Sequence, residues 1–299
     1  MEAVAITDHG NMFGVKEFHA IALKKGIKPV IGCEIYVAKR SIADTTGKED
    51  RSGDHLILLA KNLTGYKNLI KLVSIAWIKG FYYKPRIDKE LLAKYKDGLI
   101  ASSACLAGEI QDEILNGSLK GAEEALKSYL DLFGDDFYLE IQRHETNDPE
   151  ADRTAFPQQQ KVIEVFKKLS AKFNVKIIAT NDVHFINAED AEAHDRLICL
   201  NTAKDIDDPD RLRYSRQEYL KSEEEMRIIF SDIPEAVDNV SDLVAKIEKY
   251  KLDHDPIMPD FELPEGYTDK NEYLRYLTYL GAKERWGKLT DEQTELIEF

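Results

Sequence analysis

Residue types that bind metal ions follow several short apolar runs of this sequence. "VAIT" is followed by Asp8 and His9, "PVIG" runs into Cys33 and Glu34, and "GLIASSA" leads to Cys105. Short, nearly continuous apolar runs are typical of buried parallel strands. In folds built from such strands, the chemistry takes place where strands end and loops begin. These polar residues are therefore candidates for a functional site.

The same arrangement recurs further along the chain. His55 opens "HLILLA", "FYLEIQR" leads to His144, and "KIIAT" leads to Asp182 and His184 within "NDVH". Four of the seven histidines thus accompany predicted strands. Imidazoles and carboxylates together suit zinc, manganese or iron. A cluster of such ions would suit phosphoester hydrolysis, because one metal activates water while a neighbour binds phosphate oxygens.

Structural roles compete with this interpretation at each position taken alone. Asp8 could cap a helix or turn, His9 could be an ordinary loop residue, and Cys105 could be a small buried residue. Cys33 should point away from Glu34 into the core, since neighbouring strand residues alternate. The other cysteine and histidines are expected to have packing, surface or no roles: Cys199, His19, His194 and His254.

The elements that would position these residues alternate between strand and helix. Apolar β-type runs cover residues 29–38, 55–60, 98–103, 137–141 and 176–180. Helical spacing lies between most of them, at 14–25, 64–79, 121–133 and 158–173. This alternation predicts a parallel sheet or an α/β barrel. Residues 39–54 are polar and aperiodic, so we expect a loop there and a hairpin between the strands that flank it.

The pattern changes after about residue 203. Helix starts are predicted at Ser215, Ser222 and Pro234, and Ser222 followed by Glu225 fits a capping box. Residues 254–269 contain three prolines and are typical of an extended linker. Helical patterns return at 270–286 and after Thr290, where the chain stops without a C-cap signal.

The overall composition limits the partners. The formal net charge is −14, and so acidic a surface does not by itself attract a phosphate backbone. Handling of nucleic acid would need positive charge from metal ions or from another part of the protein. The three cysteines are odd in number and far apart, which favours a reducing cytoplasm. No apolar run approaches a membrane span and no signal peptide is present, so we expect a cytoplasmic protein without membrane contact.

The ordered motifs carry a family resemblance. "AVAITDHGNMFG", "IKPVIGCEIYVA", "DHLILLAKNLTGYKNLIKLVS", "GLIASSACLAGEI", "FYLEIQRHE", "ATNDVHF" and "DDPDRLRYSRQEYLKSEEEM" follow one another in this order. The sequence resembles the amino-terminal region of bacterial DNA polymerase III alpha subunits, their polymerase and histidinol phosphatase (PHP) domain. The resemblance implies a distorted seven-stranded (β/α) barrel with a metal site at one mouth, and a metal-dependent 3′→5′ exonuclease where that site is intact.

The resemblance also implies roles for individual residues. Asp8 would orient His9 through a hydrogen bond, and Arg143 and His144 would support the site or contact substrate. The metal would be zinc or manganese, with magnesium reserved for a polymerase core outside this chain. Six residues match the family's metal ligands: His9, Glu34, His55, Cys105, Asp182 and His184.

The domain organisation follows from the same resemblance. We expect a PHP barrel over 1–202, a helical extension over 203–253, and a linker entering the polymerase core over 254–299. The family begins with a strand bearing a His-x-His pair, followed by an aspartate, and this chain starts after that element. We therefore expect a barrel that lacks its first strand, with weak or absent nuclease activity and a tendency to dimerise or aggregate.

The implied partners are DNA, reached through the rest of the polymerase, and other replicase subunits, namely a proofreading subunit and a sliding clamp. Two other functions remain open. The domain could be a scaffold that docks the proofreading subunit without chemistry of its own. It could also be a free-standing phosphatase of the histidinol phosphate type, although the linker after residue 250 counts against that.

Overall fold

A computed structural model describes the whole chain, residues 1–299. The chain forms two compact units, Met1–Leu252 and Asp253–Phe299. The first unit spans both the predicted barrel and the predicted helical extension, whose separation near residue 203 stays a prediction. None of the helices in either unit combines the length and the apolar character needed to traverse a lipid bilayer.

The first unit is built on a mixed sheet of eight strands. These are β1 (Ala3–Ile6), β2 (Lys28–Val37), β3 (Asp54–Ala60), β4 (Phe81–Tyr82), β5 (Lys84–Ile87), β6 (Leu99–Ser102), β7 (Phe137–Ile141) and β8 (Ile177–Ala179). Their order is β4-β5-β2-β3-β6-β7-β8, and β1 pairs with β2 beside this path. Every predicted strand is present, whereas the short β4–β5 hairpin was not predicted.

Nine helices accompany this sheet. They are α1 (Val15–Lys24), α2 (Leu63–Ile78), α3 (Lys89–Tyr95), α4 (Glu109–Leu115), α5 (Leu119–Phe133), α6 (Ala155–Phe173), α7 (Ala191–Thr202), α8 (Glu223–Ile229) and α9 (Pro234–Ala245). The main core joins Leu69 of α2, Leu126 of α5 and Phe166 of α6 to Leu58 and Leu139 of the sheet. These side chains are fully buried, so the helices cover one face of the strands that carry the candidate site.

Strands β2 and β3 form the predicted hairpin. Glu34 pairs with Ile57 and Tyr36 with His55 in an antiparallel register. Strand β3 is also antiparallel to β6, so the sheet is mixed, and a parallel sheet, one of the two predicted alternatives, does not form. The connection between β2 and β3 holds only a 3₁₀ turn, Glu49–Arg51, and no crossover helix of the kind that joins parallel strands.

The two ends of the sheet do not meet. Strand β1 runs parallel to the first half of β2, with Ala3 opposite Lys28 and Ile6 opposite Ile31. At the other end, β8 pairs only with β7. The sheet therefore curls into a half-barrel, which confirms the predicted barrel-like α/β fold.

The predicted helix starts after residue 203 were correct at two of three positions. Ser222 forms a full capping box with Glu225 and begins α8, and Pro234 is the first residue of α9. Ser215 begins no helix. Its backbone N–H and hydroxyl both donate to the Glu218 carboxylate, at 3.1 and 2.6 Å, and the backbone then continues without helical hydrogen bonds.

The second unit contains two helices, α10 (Lys270–Trp286) and α11 (Asp291–Glu298). The side chain of Asp269 caps α10, and Thr290 forms a capping box with Gln293 at the start of α11. Residues 254–269 have no regular secondary structure, as their prolines predict. In this unit Ala282 is the one residue that is fully buried.

Candidate metal centre

The first two ligand candidates are brought together by the β1–β2 pairing. His9 lies beyond the end of β1, and the parallel ladder continues to an isolated bridge between His9 and Glu34. The Glu34 N–H donates to the Asp8 carbonyl at 3.1 Å, and the Gly10 N–H donates to the Glu34 carbonyl at 2.8 Å. These bonds fix the backbone on both sides of His9. Its Nδ1 lies 3.3 Å from Oε2 of Glu34.

Glu34 also reaches the neighbouring strand. Its Oε1 lies 2.6 Å from Nδ1 of His55 on β3. One ligand atom from each of His9, Glu34 and His55 can be chosen so that all lie within 4.8 Å of one another. The Glu34 side chain is almost fully buried at 6% exposure, while the His9 side chain is 41% exposed. The group therefore has a buried carboxylate at its base and an imidazole that faces solvent.

Cys105 joins the same cluster from the loop after β6. Its Sγ lies 3.7 Å from Oε1 of Glu34 and 3.5 Å from Nδ1 of His55. Ala104, just before it, has a φ of 60°, a left-handed conformation that an alanine seldom adopts. Burial raises the pKa of the Cys105 thiol well above its ordinary value, and the negative charge of Glu34 adds to the shift. The thiol is therefore protonated while no cation is bound.

Asp182 and His184 lie on the loop after β8. Oδ1 of Asp182 lies 3.6 Å from Nε2 of His184. The ring of His184 lies 6.1 Å from that of His9, centroid to centroid, so this pair borders the first cluster. Asp182 has a φ of 44°, a conformation that aspartate tolerates better than most residues.

The loop of Asp182 is fixed by residues 215–220, which lie within the motif "DDPDRLRYSRQEYLKSEEEM" and were predicted to begin a helix. The Asn181 amide donates to the carbonyls of Gln217 and Tyr219, at 2.8 and 2.7 Å. The His184 N–H donates to the Glu218 carbonyl at 2.8 Å. Residues 215–220 therefore act as a strap beside the site, which explains why no helix begins at Ser215.

The pKa values of His9 and His184, the imidazoles at the two ends of the site, are shifted in opposite directions. Partial burial, which removes water from the ring, lowers the pKa of His9, although the negative charge of Glu34 opposes this shift. Burial would also lower the pKa of His184, but its contact with Asp182 outweighs that effect and raises the pKa. The same contact lowers the pKa of Asp182 against the effect of its own burial. The contact between Asp182 and His184 therefore favours the charged form of each, whereas the surroundings of His9 favour the neutral imidazole, the form that binds a cation.

The three residues predicted to support the site lie elsewhere or make other contacts. The Asp8 side chain makes no hydrogen bond to His9, whose Nδ1 faces Glu34 instead. Arg143 is engaged by Asp232, at 2.5 and 2.8 Å, in the turn between α8 and α9. His144 is 3% exposed, and its ring contacts the Asn181 carbonyl and the Gln159 side chain. His144 therefore packs beneath the loop of Asp182, and its predicted role in supporting the site or contacting substrate stays a prediction.

Several side chains near the site were missed by the sequence analysis. Tyr36 stacks on His9 with ring centroids 6.1 Å apart, and its position opposite His55 in the hairpin was a usable signal. Tyr214 lies 4.7 Å from His184, centroid to centroid, and its place in the motif at 207–226 was the available signal. Glu140 is buried on β7, where it accepts hydrogen bonds from Ser102 and Thr180 at 2.5 and 2.6 Å. Burial raises its pKa.

The donor set fits a divalent cation. Two imidazoles and a carboxylate converge, and a thiol borders them. Zinc accepts all of these ligand types, and manganese prefers the carboxylate among them. The carboxylate of Glu34 is nearly excluded from water and has only histidine and thiol partners. A buried carboxylate without a Lys or Arg partner is costly unless a cation is bound nearby. The six predicted ligands thus lie in two adjoining groups, and their roles as ligands stay a prediction.

Comparisons with known proteins agree with this architecture. A family model described as the PHP domain matches residues 1–144. The chain is 43% identical over 297 residues to the DNA polymerase III subunit alpha of Borreliella burgdorferi, covering 98% of this chain and 25% of that protein. The subunits of Treponema pallidum and Thermus aquaticus are 39% and 41% identical and cover 97% and 95% of this chain.

This chain spans about a quarter of the length of the curated relatives it matches. Within that span, the similarity covers nearly every residue, and the PHP match includes His9, Glu34, His55 and Cys105. The chain therefore belongs to the family of the DNA polymerase III alpha subunits and carries their PHP domain.

Proposed function

We propose that this chain is part of a replicative DNA polymerase III alpha subunit and that its metal centre hydrolyses phosphodiesters. The substrate would be the 3′ end of a DNA strand, removed in the 3′→5′ direction. The observation that carries the proposal is the convergence of His9, Glu34 and His55 at the carboxyl end of β1. The names of the relatives support a role in DNA replication.

The residues that would hold cations fall into two groups. His9, Glu34, His55 and Cys105 would form the first, and Asp182 with His184 would contribute from the adjoining loop. Zinc or manganese suits these donors. When bound, such a cation lowers the pKa of a coordinated water and polarises phosphate oxygens.

The protein's own residues would prepare the site for that chemistry. Glu34 orients two imidazoles at once, since each of its oxygens faces one of them. The exposed edge of His9 leaves the site open to solvent and therefore to a chain end. His184 lies at the rim beside Asp182, where both side chains would contribute to holding a cation.

The polymerase activity, its magnesium ions and the contacts to a proofreading subunit and a sliding clamp belong to the proposal for the whole protein. This chain spans only about a quarter of its relatives, so these features are assigned to the remainder. DNA would reach this metal centre through that remainder, which would supply the positive charge that the acidic surface lacks.

The proposal is tested with a 3′-labelled oligonucleotide and the whole alpha subunit that contains this chain, loaded with zinc or manganese, because the chain alone is expected to be a weak nuclease or none. We expect metal-dependent release of the label that is lost in Glu34→Gln and retained in Glu90→Gln, a control carboxylate exposed on α3. Stoichiometric metal binding without any hydrolysis would contradict the nuclease and would favour the scaffold role.

A further inference from the structure

The surface beside His9 carries an unusual group of exposed aromatic side chains. Trp77, Phe81 and Tyr83 are 46%, 52% and 61% exposed. Trp77 lies at the end of α2, and the other two lie on the β4–β5 hairpin that follows it. The rings of Trp77 and Phe81 stack on each other with centroids 5.4 Å apart. Together with Arg51 and Lys84, described below, these three residues are called the aromatic platform.

The aromatic platform is fixed against the metal centre. The Trp77 indole N–H donates to the Gly10 carbonyl at 2.7 Å, next to His9 in the chain. The hairpin is anchored at the same point, because a Cβ added to Gly10 would lie 2.7 Å from the Pro85 ring. Helix α2 and the β4–β5 hairpin therefore both contact Gly10, the residue after the candidate ligand His9. Only a glycine permits so close a contact with the hairpin.

Two cations accompany the rings. Lys84 lies over the Tyr36 ring, with Nζ 5.5 Å from its centroid, and Tyr36 in turn stacks on His9. The guanidinium of Arg51 lies 5.0 Å from the Tyr83 ring. Neither cation forms an ion pair with a carboxylate in this structure, although the chain has an excess of carboxylates. Local positive charge therefore adjoins the aromatic rings.

The apex of the hairpin, where Tyr83 stands between the paired residues Tyr82 and Lys84, carries backbone strain. Tyr83 has a φ of 61°, a conformation in which a bulky aromatic residue is rare. A glycine or asparagine would adopt it more easily. The tyrosine is nevertheless present, and most of its ring faces solvent. Strain of this kind is concentrated at ligand-binding positions.

We propose that the aromatic platform binds single-stranded DNA by stacking against its bases, so that the adjoining phosphates lie next to the metal centre. Exposed aromatic rings beside unpaired cations are the features with which proteins bind single strands without reading sequence. The assignment to DNA rests on the proposed function. Duplex ends would have to be unpaired before their bases could stack on these rings.

Binding is measured with a fluorescently labelled oligothymidylate in EDTA and low salt, so that metal-dependent chemistry cannot contribute. We expect Phe81→Ala to weaken binding by about fivefold or more, the loss typical of one stacked base. Lys84→Ala should reduce the salt dependence by about 0.7 in the slope of log K against log salt concentration, since one phosphate contact is lost. Lys71→Ala, an exposed lysine elsewhere on α2, serves as the control without effect.

Two further measurements separate binding from folding. Tyr83→Gly should weaken binding although it relieves the backbone strain, so its melting temperature should not fall. In Trp286→Phe, Trp77 is the one remaining tryptophan, and its emission should be quenched as the oligonucleotide saturates.

The proposal is overturned if Phe81→Ala, Tyr83→Gly and Lys84→Ala bind as tightly as Lys71→Ala, or if duplex DNA binds as tightly as the single strand. It is also overturned if these variants change only the oligomeric state on gel filtration, because the surface would then contact protein. Hydrolysis is measured separately on wild-type protein. If hydrolysis is absent while the expected binding pattern is found, the nuclease is contradicted and DNA binding by the aromatic platform is supported.

Discussion

Oε1 of Glu34 lies 2.6 Å from Nδ1 of His55, the shortest contact of the candidate metal centre. The pair joins β2 to β3, and the other Glu34 oxygen faces His9. Replacing Glu34 by Gln keeps the shape of the side chain but removes its negative charge. We expect Glu34→Gln to lower zinc or manganese affinity at least about tenfold, since even partners of metal ligands contribute that much. Isothermal titration against Glu90→Gln checks this, and equal affinities would exclude Glu34 as a ligand.

The loop after β8 should contribute to the same metal content. Asp182 and His184 pair at 3.6 Å, and the His184 ring adjoins that of His9. We expect the double variant Asp182→Ala, His184→Ala to retain less metal than wild type after loading and desalting, as measured by elemental analysis. Unchanged metal content would show that "NDVH" takes no part in binding.

A buried ion pair between Asp195 on α7 and Arg211 in the segment after that helix should matter more for stability than an exposed ion pair within α7. Arg211 contacts Asp195 at 2.5 and 2.7 Å, and both residues are at least nine-tenths buried. Asp195→Ala leaves the guanidinium without its charged partner, so the free energy of unfolding should fall by about 3 kcal/mol.

The matched control is the exposed pair between Glu192 and Arg196. Glu192→Ala should leave the unfolding free energy nearly unchanged, because an exposed ion pair contributes little. Urea unfolding of the two variants makes the comparison. If Asp195→Ala costs no more than Glu192→Ala, the buried pair does not stabilise the fold in this way.

Lys221 should make stability depend on pH in the alkaline range. Its side chain packs on the Tyr219 ring and donates to the Gln217 carbonyl, and burial lowers its pKa to about 8. Between that value and its unfolded pKa of about 10.4, the unfolded chain binds more protons than the folded chain. Stability therefore rises with pH across this window, relative to a variant without the group.

We expect the unfolding free energy of wild type minus that of Lys221→Met to increase by about 1–3 kcal/mol between pH 8 and pH 10. The subtraction cancels the titration of tyrosines and cysteines that both proteins share. A difference that stays constant, or that decreases with pH, would show that Lys221 keeps its ordinary pKa.

The sequence was informative where local chemistry decides the structure. Continuous apolar runs marked β2 and β6 because their residues are buried on both faces. Ser222 and Thr290 marked helix starts because their capping bonds involve only the next three residues. The register of β1 on β2 then places His9 beside Glu34, 25 residues away in sequence.

Other features depend on contacts between distant segments. Arg143 follows a strand like the metal-binding candidates, but Asp232 binds it from 89 residues away. Ser215 has the side chain of a helix cap, yet its hydroxyl bonds Glu218 within a strap that supports His184. The β4–β5 hairpin is short, and its turn is made by Tyr83. A glycine at this position would have marked the turn in the sequence. Local patterns could not reveal these tertiary contacts.

The most direct measurement of the metal centre is anomalous diffraction from crystals of this chain grown with zinc or manganese. Data collected on both sides of the metal's absorption edge locate the ion without reference to activity. We predict an anomalous peak among the side chains of His9, Glu34 and His55, at about 2.0–2.2 Å from the donor atoms for zinc. Ordered metal elsewhere in the crystal, with no peak among these three residues, would contradict the metal centre proposed here.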